Sequence, residues 1–366
     1  MPTADASPAP PFCPNPQCHF HRAAGPAWRF IRAGFHRRLA PPHRVQRYRC
    51  CHCRRHFSDQ TFRPTYWLRR PDLLEPIFHR LLGCSAYRQI AREFEISPQT
   101  VLGQAARLGR HCLLFHELHR PRAPAVEPLV LDGFESFEYS QFHPTRYHVV
   151  AGQVSHFFYG FTDSELRRSG RMTARQKRRR AVLETRHGRP HPRSTEREVT
   201  RLIALLAPTP QALVLCTDEH PDYPRAIARL PHLRVTHRTV SSRAARTPRN
   251  PLFAVNLLDL LIRHSGANHK RETIAFSKRR QSAAERLWVL LAWRNYVKSC
   301  SERTRGPSPA MRLGLLARRL KPRELLKQRL FVSRLPPSQP WLDYYWRRVR
   351  TREIPNCREH RRVLAC

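Results

Sequence analysis

Two short apolar segments that each run into an aspartate constrain this chain more than any other feature. Residues 127–132 end on Asp132, and residues 211–218 end on Asp218. Apolar runs of this length that contain β-branched residues are typical of buried strands. Around them, residues 127–300 alternate strand-like and helix-like stretches, which predicts an α/β fold.

A third aspartate, Asp259, is the single acid in an apolar helical stretch from Pro251 to His264. A carboxylate among leucines is costly unless a cation neutralises it. The three acids together predict a site for two Mg²⁺ or Mn²⁺ ions, because hard cations prefer carboxylate oxygens and a pair of them promotes phosphodiester cleavage. Glu285, on a later helix, is the alternative third acid. Three more acids lie near these positions in sequence: Glu135, Glu219 and Asp222.

A large excess of positive charge indicates a polyanionic partner. The chain has 67 Lys and Arg residues against 27 Asp and Glu residues, a formal net charge of +40. Such a chain repels itself unless a polyanion, usually nucleic acid, neutralises it. The basic insert at residues 164–193 is predicted to be a flexible DNA-contacting loop rather than a folded element. After the third acid, three cations either bind DNA backbone phosphates or form a solvated basic face: Lys270, Arg271 and Lys278.

Cysteines near the N-terminus have the spacing of a metal site. Cys13 and Cys18 form one close pair, and Cys50 and Cys53 form another about thirty residues later. Two such pairs predict two turns that clamp one tetrahedral Zn²⁺ ion, whose binding would supply the folding energy of a short segment. Other ligand sets remain open, with Cys51 in the third position or with a nearby imidazole: His19 or His21.

The segment from Ser85 to Leu102 has the pattern of a helix-turn-helix. Ser97 is a favourable N-cap, and Pro98 fits the first position of the second helix. An ordinary helical hairpin is the alternative. If the second helix enters the major groove of DNA, its predicted base-reading side chains are Gln99, Thr100, Gln104 and Arg107.

The chain therefore divides into four predicted sections. They are a zinc-ribbon-like module (1–62), a helix-turn-helix module (63–120), a catalytic α/β domain (121–300) and a basic helical C-terminal extension (301–366). The extension carries an aromatic group that we expect to pack against the main domain. No secretory signal or membrane-length apolar run is visible, which predicts a soluble, cytoplasmic protein.

In this order of sections, the sequence resembles bacterial insertion-sequence transposases of the DDE class. The matching stretches are Tyr48 to Cys53 with Phe57-Ser58, Arg88 to Val101, Leu131-Asp132, Thr217-Asp218, Asn256 to Asp259, and Lys270 to Lys278. The resemblance implies an RNase-H-like mixed sheet with flanking helices, and Asp132, Asp218 and Asp259 as the catalytic metal ligands. The block after the third acid favours Asp259 over Glu285, although members of the family often carry Glu at this place.

The same resemblance implies a reaction and a set of partners. Hydrolysis of a DNA phosphodiester at the end of the element is followed by strand transfer by the freed 3′-hydroxyl, with no covalent protein–DNA bond. Double-stranded DNA is the implied partner, and the protein would assemble as a homo-oligomer on it. The alternative is a DNA-binding regulator without catalysis, or a decayed transposase, for which residues 1–120 would suffice.

Overall fold

The computed structural model describes residues 9–39, 41–121, 127–270, 273–303 and 306–349. The architecture is mixed α/β, with a three-stranded sheet near the N-terminus and a five-stranded mixed sheet further on. Buried apolar side chains form two clusters, a small one beside the first sheet and a large one around the second. The α/β prediction is therefore confirmed at this level.

The N-terminal sheet is antiparallel and consists of β1 (Phe30–Arg37), β2 (Arg44–Cys50) and β3 (His56–Ser58). Very few apolar side chains support it, because most of β1 is exposed. A core this small does not hold a fold by itself, and small modules of this kind usually depend on a bound metal or a cross-link. The buried side chains of the small cluster beside this sheet are Cys13, Cys18, Trp28, Tyr48, Cys50 and Phe57.

Three helices follow, α1 (Leu74–Leu82), α2 (Tyr87–Glu93) and α3 (Pro98–His119). The predicted start of the last one is confirmed, since the Ser97 hydroxyl accepts a hydrogen bond from the Thr100 amide at 3.1 Å. This helix is 22 residues long and is buried along most of its length. The helices predicted as a separate module therefore share one continuous core with the large sheet.

Helix α3 crosses another helix at short range near its middle. Gly109 lies against α8 (Arg280–Ala292), and a Cβ added at Gly109 would approach the Glu285 carbonyl oxygen to 2.6 Å and its Cα to 2.7 Å. Both are backbone atoms of a buried helix, so neither can move aside cheaply. The two helices therefore pack closely only because position 109 has no side chain.

Gly109→Ala is expected to lower the free energy of unfolding by about 1–3 kcal/mol, because overpacking forces the two backbones apart. Gly103→Ala on the same helix is the matched control, since a Cβ there would meet nothing within 4 Å. That change should raise stability by about 0.5–1 kcal/mol through helix propensity. Urea denaturation gives the free energy of unfolding of both variants. Equal values would be inconsistent with close packing of α3 against α8 at Gly109.

The large sheet consists of β4 (Leu129–Phe137), β5 (Pro144–Gly152), β6 (Phe158–Glu165), β7 (Gln211–Thr217) and β8 (Leu233–Thr239). Its strand order is β6-β5-β4-β7-β8. The first three strands form an antiparallel meander, whereas β7 runs parallel to β4 and β8 parallel to β7. The carboxyl ends of β4, β6, β7 and β8 therefore all lie at one edge of the sheet.

Helices cover both faces of this sheet. The remaining ones are α4 (Ala174–His187), α5 (Ser194–Leu206), α6 (Asp222–Ala228), α7 (Phe253–Ser265), α9 (Pro309–Arg312), α10 (Pro322–Lys327) and α11 (Trp341–Tyr345). Adjacent residues of β6 point to opposite faces. Thr162 donates to a carbonyl of α5 at 3.0 Å, whereas Asp163 pairs with Arg280 of α8 at 2.5 Å. Helix α7 packs against β4 and β5.

Two predictions about the less regular sections have different outcomes. The basic insert at 164–193 is not a loop throughout, because it contains α4, whose first turn is capped by the Thr173 side chain. The C-terminal aromatic group packs against the main domain as expected. Trp341, Tyr344 and Tyr345 are buried, and the Trp341 indole donates to the Phe161 carbonyl at 2.8 Å.

Candidate functional site

The sheet register brings two of the three predicted acids level with each other. Leu129 of β4 is paired with Leu215 of β7, and Val130 with Cys216. Continuing this parallel register by two residues places Asp218 opposite Asp132. The prediction that Asp132 ends its strand is wrong, because β4 continues to Phe137 along β5. Asp132 instead lies where β4 extends beyond the end of β7.

The third acid reaches the same edge from a helix. Helix α7 lies over β4 and β5 and carries Asp259 in its middle. Asp132 Oδ1 accepts a hydrogen bond from the Gly133 amide at 2.6 Å, and Asp218 Oδ1 accepts one from the His220 amide at 2.9 Å. Asp259 Oδ1, in contrast, is buried and has no hydrogen-bond partner among the described residues. A buried carboxylate oxygen without a partner is costly, so this atom is the one most in need of a ligand.

The electrostatics of the site link the three acids to one another. Burial, and to a smaller extent the neighbouring charge of Asp132, together raise the pKa of Asp259 to about 7. The pKa of Asp132 is also raised, first by burial and then by the charge of Asp218. The buried Tyr223 hydroxyl of α6 has no partner in the described structure, and burial and the charges of all three acids raise its pKa.

Arginines surround these acids without pairing with them. The charge of Arg146 lowers the pKa of both Asp132 and Asp259, and so does the charge of Arg246. Arg146 on β5 crosses directly over Gly133, where a Cβ would lie 2.5 Å from its Nε. Within the described part of the chain, however, no ion pair of 4.0 Å or less involves Asp132, Asp218 or Asp259. No motif singles out Arg146, Arg246 or Tyr223, and isolated arginines carry little information in so basic a chain.

The alternative third acid lies elsewhere. Glu285 is a buried residue of α8, at the place where this helix packs against α3. It pairs with Arg347 at 2.8 Å and accepts a hydrogen bond from Gln281 at 3.1 Å. None of the three aspartates is among the groups that shift its pKa. Of the other nearby acids, Glu135 is exposed, Glu219 accepts from the Ser242 amide, and Asp222 pairs with Arg225.

The burial of Asp259 gives the protein without added divalent ions a characteristic pH dependence. Its pKa rises from 3.8 to about 7 on folding, so between these values the folded state holds a proton that the unfolded state has released. Stability therefore falls as the pH rises from about 4 to about 7. Asp259→Asn removes this contribution and should flatten the decline in urea midpoint, relative to the unmodified protein. Parallel pH profiles for the two proteins would be inconsistent with a buried, proton-binding Asp259.

The four predicted cysteines come together in the N-terminal module. Among the described residues, Cys13, Cys18, Cys50 and Cys53 are the one group in which three or more ligand atoms all lie within 4.8 Å of one another. Zn–S bonds of about 2.3 Å in a tetrahedron separate the sulfurs by about 3.8 Å. The distance between the Cys13 and Cys53 sulfurs is 3.6 Å. These cysteines therefore form a candidate zinc site, whereas the three aspartates are more widely spaced.

One of the four cysteines, Cys50, lies in surroundings that favour its ionised form, the thiolate. Burial opposes ionisation of Cys50, but hydrogen bonds from the Cys53 amide and the Trp28 indole outweigh it and lower its pKa to about 7. Burial raises the pKa of Cys13 and of Cys18. Cys50 therefore ionises before Cys13 and Cys18, and a bound cation would assist the ionisation of those two.

The alternative ligands at this site are not placed to bind. Cys51 is exposed and lies outside the cluster of four sulfurs. His19 is exposed, and His21 uses both ring nitrogens in hydrogen bonds of 2.8 Å, one to the Cys13 carbonyl oxygen and one to the Ser333 hydroxyl. His21 thus ties the cysteine module to the C-terminal part of the chain.

The predicted DNA-binding side chains have mixed positions. Gln104 and Arg107 are buried and donate to the carbonyls of Arg70 and Pro64, so in this structure they hold α3 in place and do not face outward. Gln99 is exposed, and Thr100 takes part in the helix cap. Lys270 and Lys278 are exposed, and Arg271 lies outside the described residues.

Comparisons with known proteins add only weak structural similarity. No family model matches the chain, and no curated protein matches it. A solved structure described as the cryoEM structure of simian T-cell lymphotropic virus intasome in complex with PP2A regulatory subunit B56 gamma is 14% identical. It covers 63% of this chain and 70% of that chain, with a TM-score of 0.24. A similarity of this size assigns neither a family nor an activity. No helix in the described ranges is long and apolar enough to cross a membrane.

Proposed function

We propose that this protein is a metal-dependent DNA transposase that cleaves a phosphodiester and joins the freed 3′-hydroxyl to a second DNA. The observation that carries the proposal is the group of unpaired aspartates at the carboxyl edge of the sheet. Asp132, Asp218 and Asp259 influence one another electrostatically, yet no cation of the described chain lies within 4.0 Å of them.

Unpaired acids are unexpected in a chain with 67 cations and 27 anions. Two buried acids elsewhere have arginine partners: Asp163 pairs with Arg280 at 2.5 Å, and Glu285 pairs with Arg347 at 2.8 Å. The fold can therefore place an arginine beside a buried acid, and among the described residues it does not do so at the three aspartates. Their lack of a partner is best explained if a ligand that is not part of the chain neutralises them.

The residues present suit divalent cations of the Mg²⁺ class. The donors are all carboxylates, and one buried oxygen, on Asp259, has no partner among the described residues. Asp132, Asp218 and Asp259 would hold the ions, which when bound would favour attack by a hydroxyl and departure of the leaving oxygen. In cleavage, a water oxygen forms a bond to phosphorus as the bond to the 3′-oxygen breaks, leaving a 3′-hydroxyl and a 5′-phosphate. In joining, that 3′-hydroxyl attacks a phosphodiester of the target and displaces its 3′-oxygen.

The distribution of positive charge supports DNA as the substrate. Helix α4 has no buried residue, and it follows β6, whose carboxyl end lies at the same edge of the sheet as Asp132. A helix without an apolar face gains little from packing on its own protein. Its exposed cations are suited to the phosphate backbone of a duplex: Arg175, Lys177, Arg178 and Arg179.

The proposal is tested by incubating the protein with DNA that includes the flanks of its own gene, in Mg²⁺ or Mn²⁺. Strand breaks at defined positions, and later joined products, are expected in both ions and not in Ca²⁺. DNA binding without divalent-dependent cleavage would contradict the proposal and favour the alternative, a DNA-binding regulator or decayed transposase.

A further inference from the structure

The loop that connects β8 to α7, residues 240–252, passes beside two of the aspartates. At its start, the Val240 amide donates to the Thr217 carbonyl at 2.9 Å. The Ser242 amide then donates to the Glu219 side chain at 3.3 Å. The first part of the loop is therefore held along the segment that contains Asp218.

The second part of the loop is a turn closed by Asn250. Its side-chain amide donates to the Ala245 carbonyl at 2.9 Å, and its backbone amide donates to the Thr247 carbonyl at 3.0 Å. Helix α7, which carries Asp259, begins directly after this turn. Arg246 is therefore fixed in a small closed turn between the segments that carry Asp218 and Asp259, with its side chain exposed.

Arg246 is close enough to the acids to affect them but does not pair with them. Its charge lowers the pKa of both Asp132 and Asp259. No ion pair of 4.0 Å or less joins it to either carboxylate, although both are described residues. Arg246 therefore lies near the two carboxylates without contacting them, and its side chain is exposed to solvent.

The other two arginines near the acids are less available. Arg146 is packed over Gly133, with its Nε buried. Arg263 donates to the His269 carbonyl at 3.2 Å and lies over the Phe134 ring. Arg246 is thus the arginine of the three that is exposed and can reorient toward a ligand without disturbing the core.

We propose that Arg246 is a further catalytic residue, which binds the non-bridging oxygens of the reacting phosphodiester opposite the three aspartates. This role rests on the proposed function. An arginine suits it because the planar guanidinium donates two parallel hydrogen bonds to a phosphate. Negative charge increases on those oxygens as the attacking oxygen approaches, so a fixed cation there lowers the barrier.

The test compares Arg246→Ala and Arg246→Lys with Arg249→Ala, which changes an exposed arginine of the same loop that is not among the main influences on the pKa of Asp132 or Asp259. Arg246→Ala is expected to slow cleavage about 100-fold. Arg246→Lys should recover part of the rate, since it keeps the charge but loses the paired hydrogen bonds. Arg249→Ala should cleave at the rate of the unmodified protein.

A binding measurement in Ca²⁺ provides a readout that does not depend on turnover. The cleavage position is first mapped with the unmodified protein, and a neutral methylphosphonate is then placed there. This replacement should weaken binding of the unmodified protein and of Arg249→Ala about tenfold. It should weaken binding of Arg246→Ala clearly less, because one of the positive charges that face the phosphate is already missing.

The outcomes separate the two proposals. If the unmodified protein cleaves and Arg246→Ala retains the full cleavage rate or the full methylphosphonate effect, the role of Arg246 is wrong and the proposed function stands. If the unmodified protein cleaves no DNA in Mg²⁺ or Mn²⁺, the proposed function is wrong and the role of Arg246 falls with it. Thermal melting checks the fold, and Arg246→Gln replaces the alanine variant if that protein is not folded.

Discussion

Asp132→Asn, Asp218→Asn and Asp259→Asn are each expected to lower the rate of DNA strand cleavage by more than about 1000-fold. An amide keeps the size of the side chain but loses the negative charge that would hold a divalent cation. Affinity for DNA should stay nearly unchanged, because phosphate contacts by the many arginines supply most of it. Single-turnover cleavage of an end-labelled duplex and a gel-shift titration measure the two quantities.

Two glutamates serve as controls for this experiment. Glu135→Gln changes an exposed acid on the same strand as Asp132 and should leave cleavage unaffected. Glu285→Gln changes the alternative third acid, and it should retain cleavage while lowering stability, because Glu285 pairs with Arg347 in the core. Normal cleavage by Asp259→Asn together with none by folded Glu285→Gln would reassign the third ligand to Glu285.

The strands and two of the acids could be predicted because local sequence determines them. The apolar run before Asp218 is a strand that ends at Thr217, and the apolar helix around Asp259 spans Phe253–Ser265. For Asp132 the local pattern was misleading. The glycine directly after it suggests a turn, whereas β4 continues to Phe137 because β5 supplies a hydrogen-bonding partner along its full length.

The errors have a common cause, which is that the deciding contacts are distant in sequence. Gln104 and Arg107 resemble the exposed face of a recognition helix, but the chain around Pro64 and Arg70 folds back over them and accepts their hydrogen bonds. Arg246 has no distinguishing local pattern, and only the folded loop brings it near Asp132. Helix α4 was predicted as a loop because it lacks apolar periodicity, which a helix needs only if it packs on the protein.

The cysteine spacing was informative because a metal site depends on few residues. The candidate zinc ligands Cys13, Cys18, Cys50 and Cys53 were all predicted from two close pairs, and their sulfurs lie within 4.8 Å of one another. The structure also decides between Cys50 and Cys51 in the third position, since Cys50 is buried within the cluster and Cys51 is exposed. Sequence spacing alone does not distinguish neighbours in a tight turn, where successive side chains point in different directions.

Cys50→Ser is expected to reduce bound zinc from one ion per chain to almost none and to unfold the three-stranded sheet. Cys50 is fully buried, and its sulfur accepts a hydrogen bond from the Trp28 indole at 3.4 Å. The small core around it has little apolar area, so the metal would supply most of the folding free energy, of the order of 10 kcal/mol. Metal analysis gives the zinc content, and hydrogen exchange of residues 41–62 reports the loss of protection.

Cys51→Ser is the matched control, because it removes an adjacent cysteine that is exposed and outside the cluster. It should retain full zinc content and normal protection from exchange. The rest of the chain should stay folded in both variants, since the large cluster of apolar side chains contains none of the four ligands. Equal zinc content in the two variants would exclude Cys50 as a ligand. Loss of zinc with an intact β2 would instead show that packing around Trp28 and Tyr48, rather than the metal, stabilises this sheet.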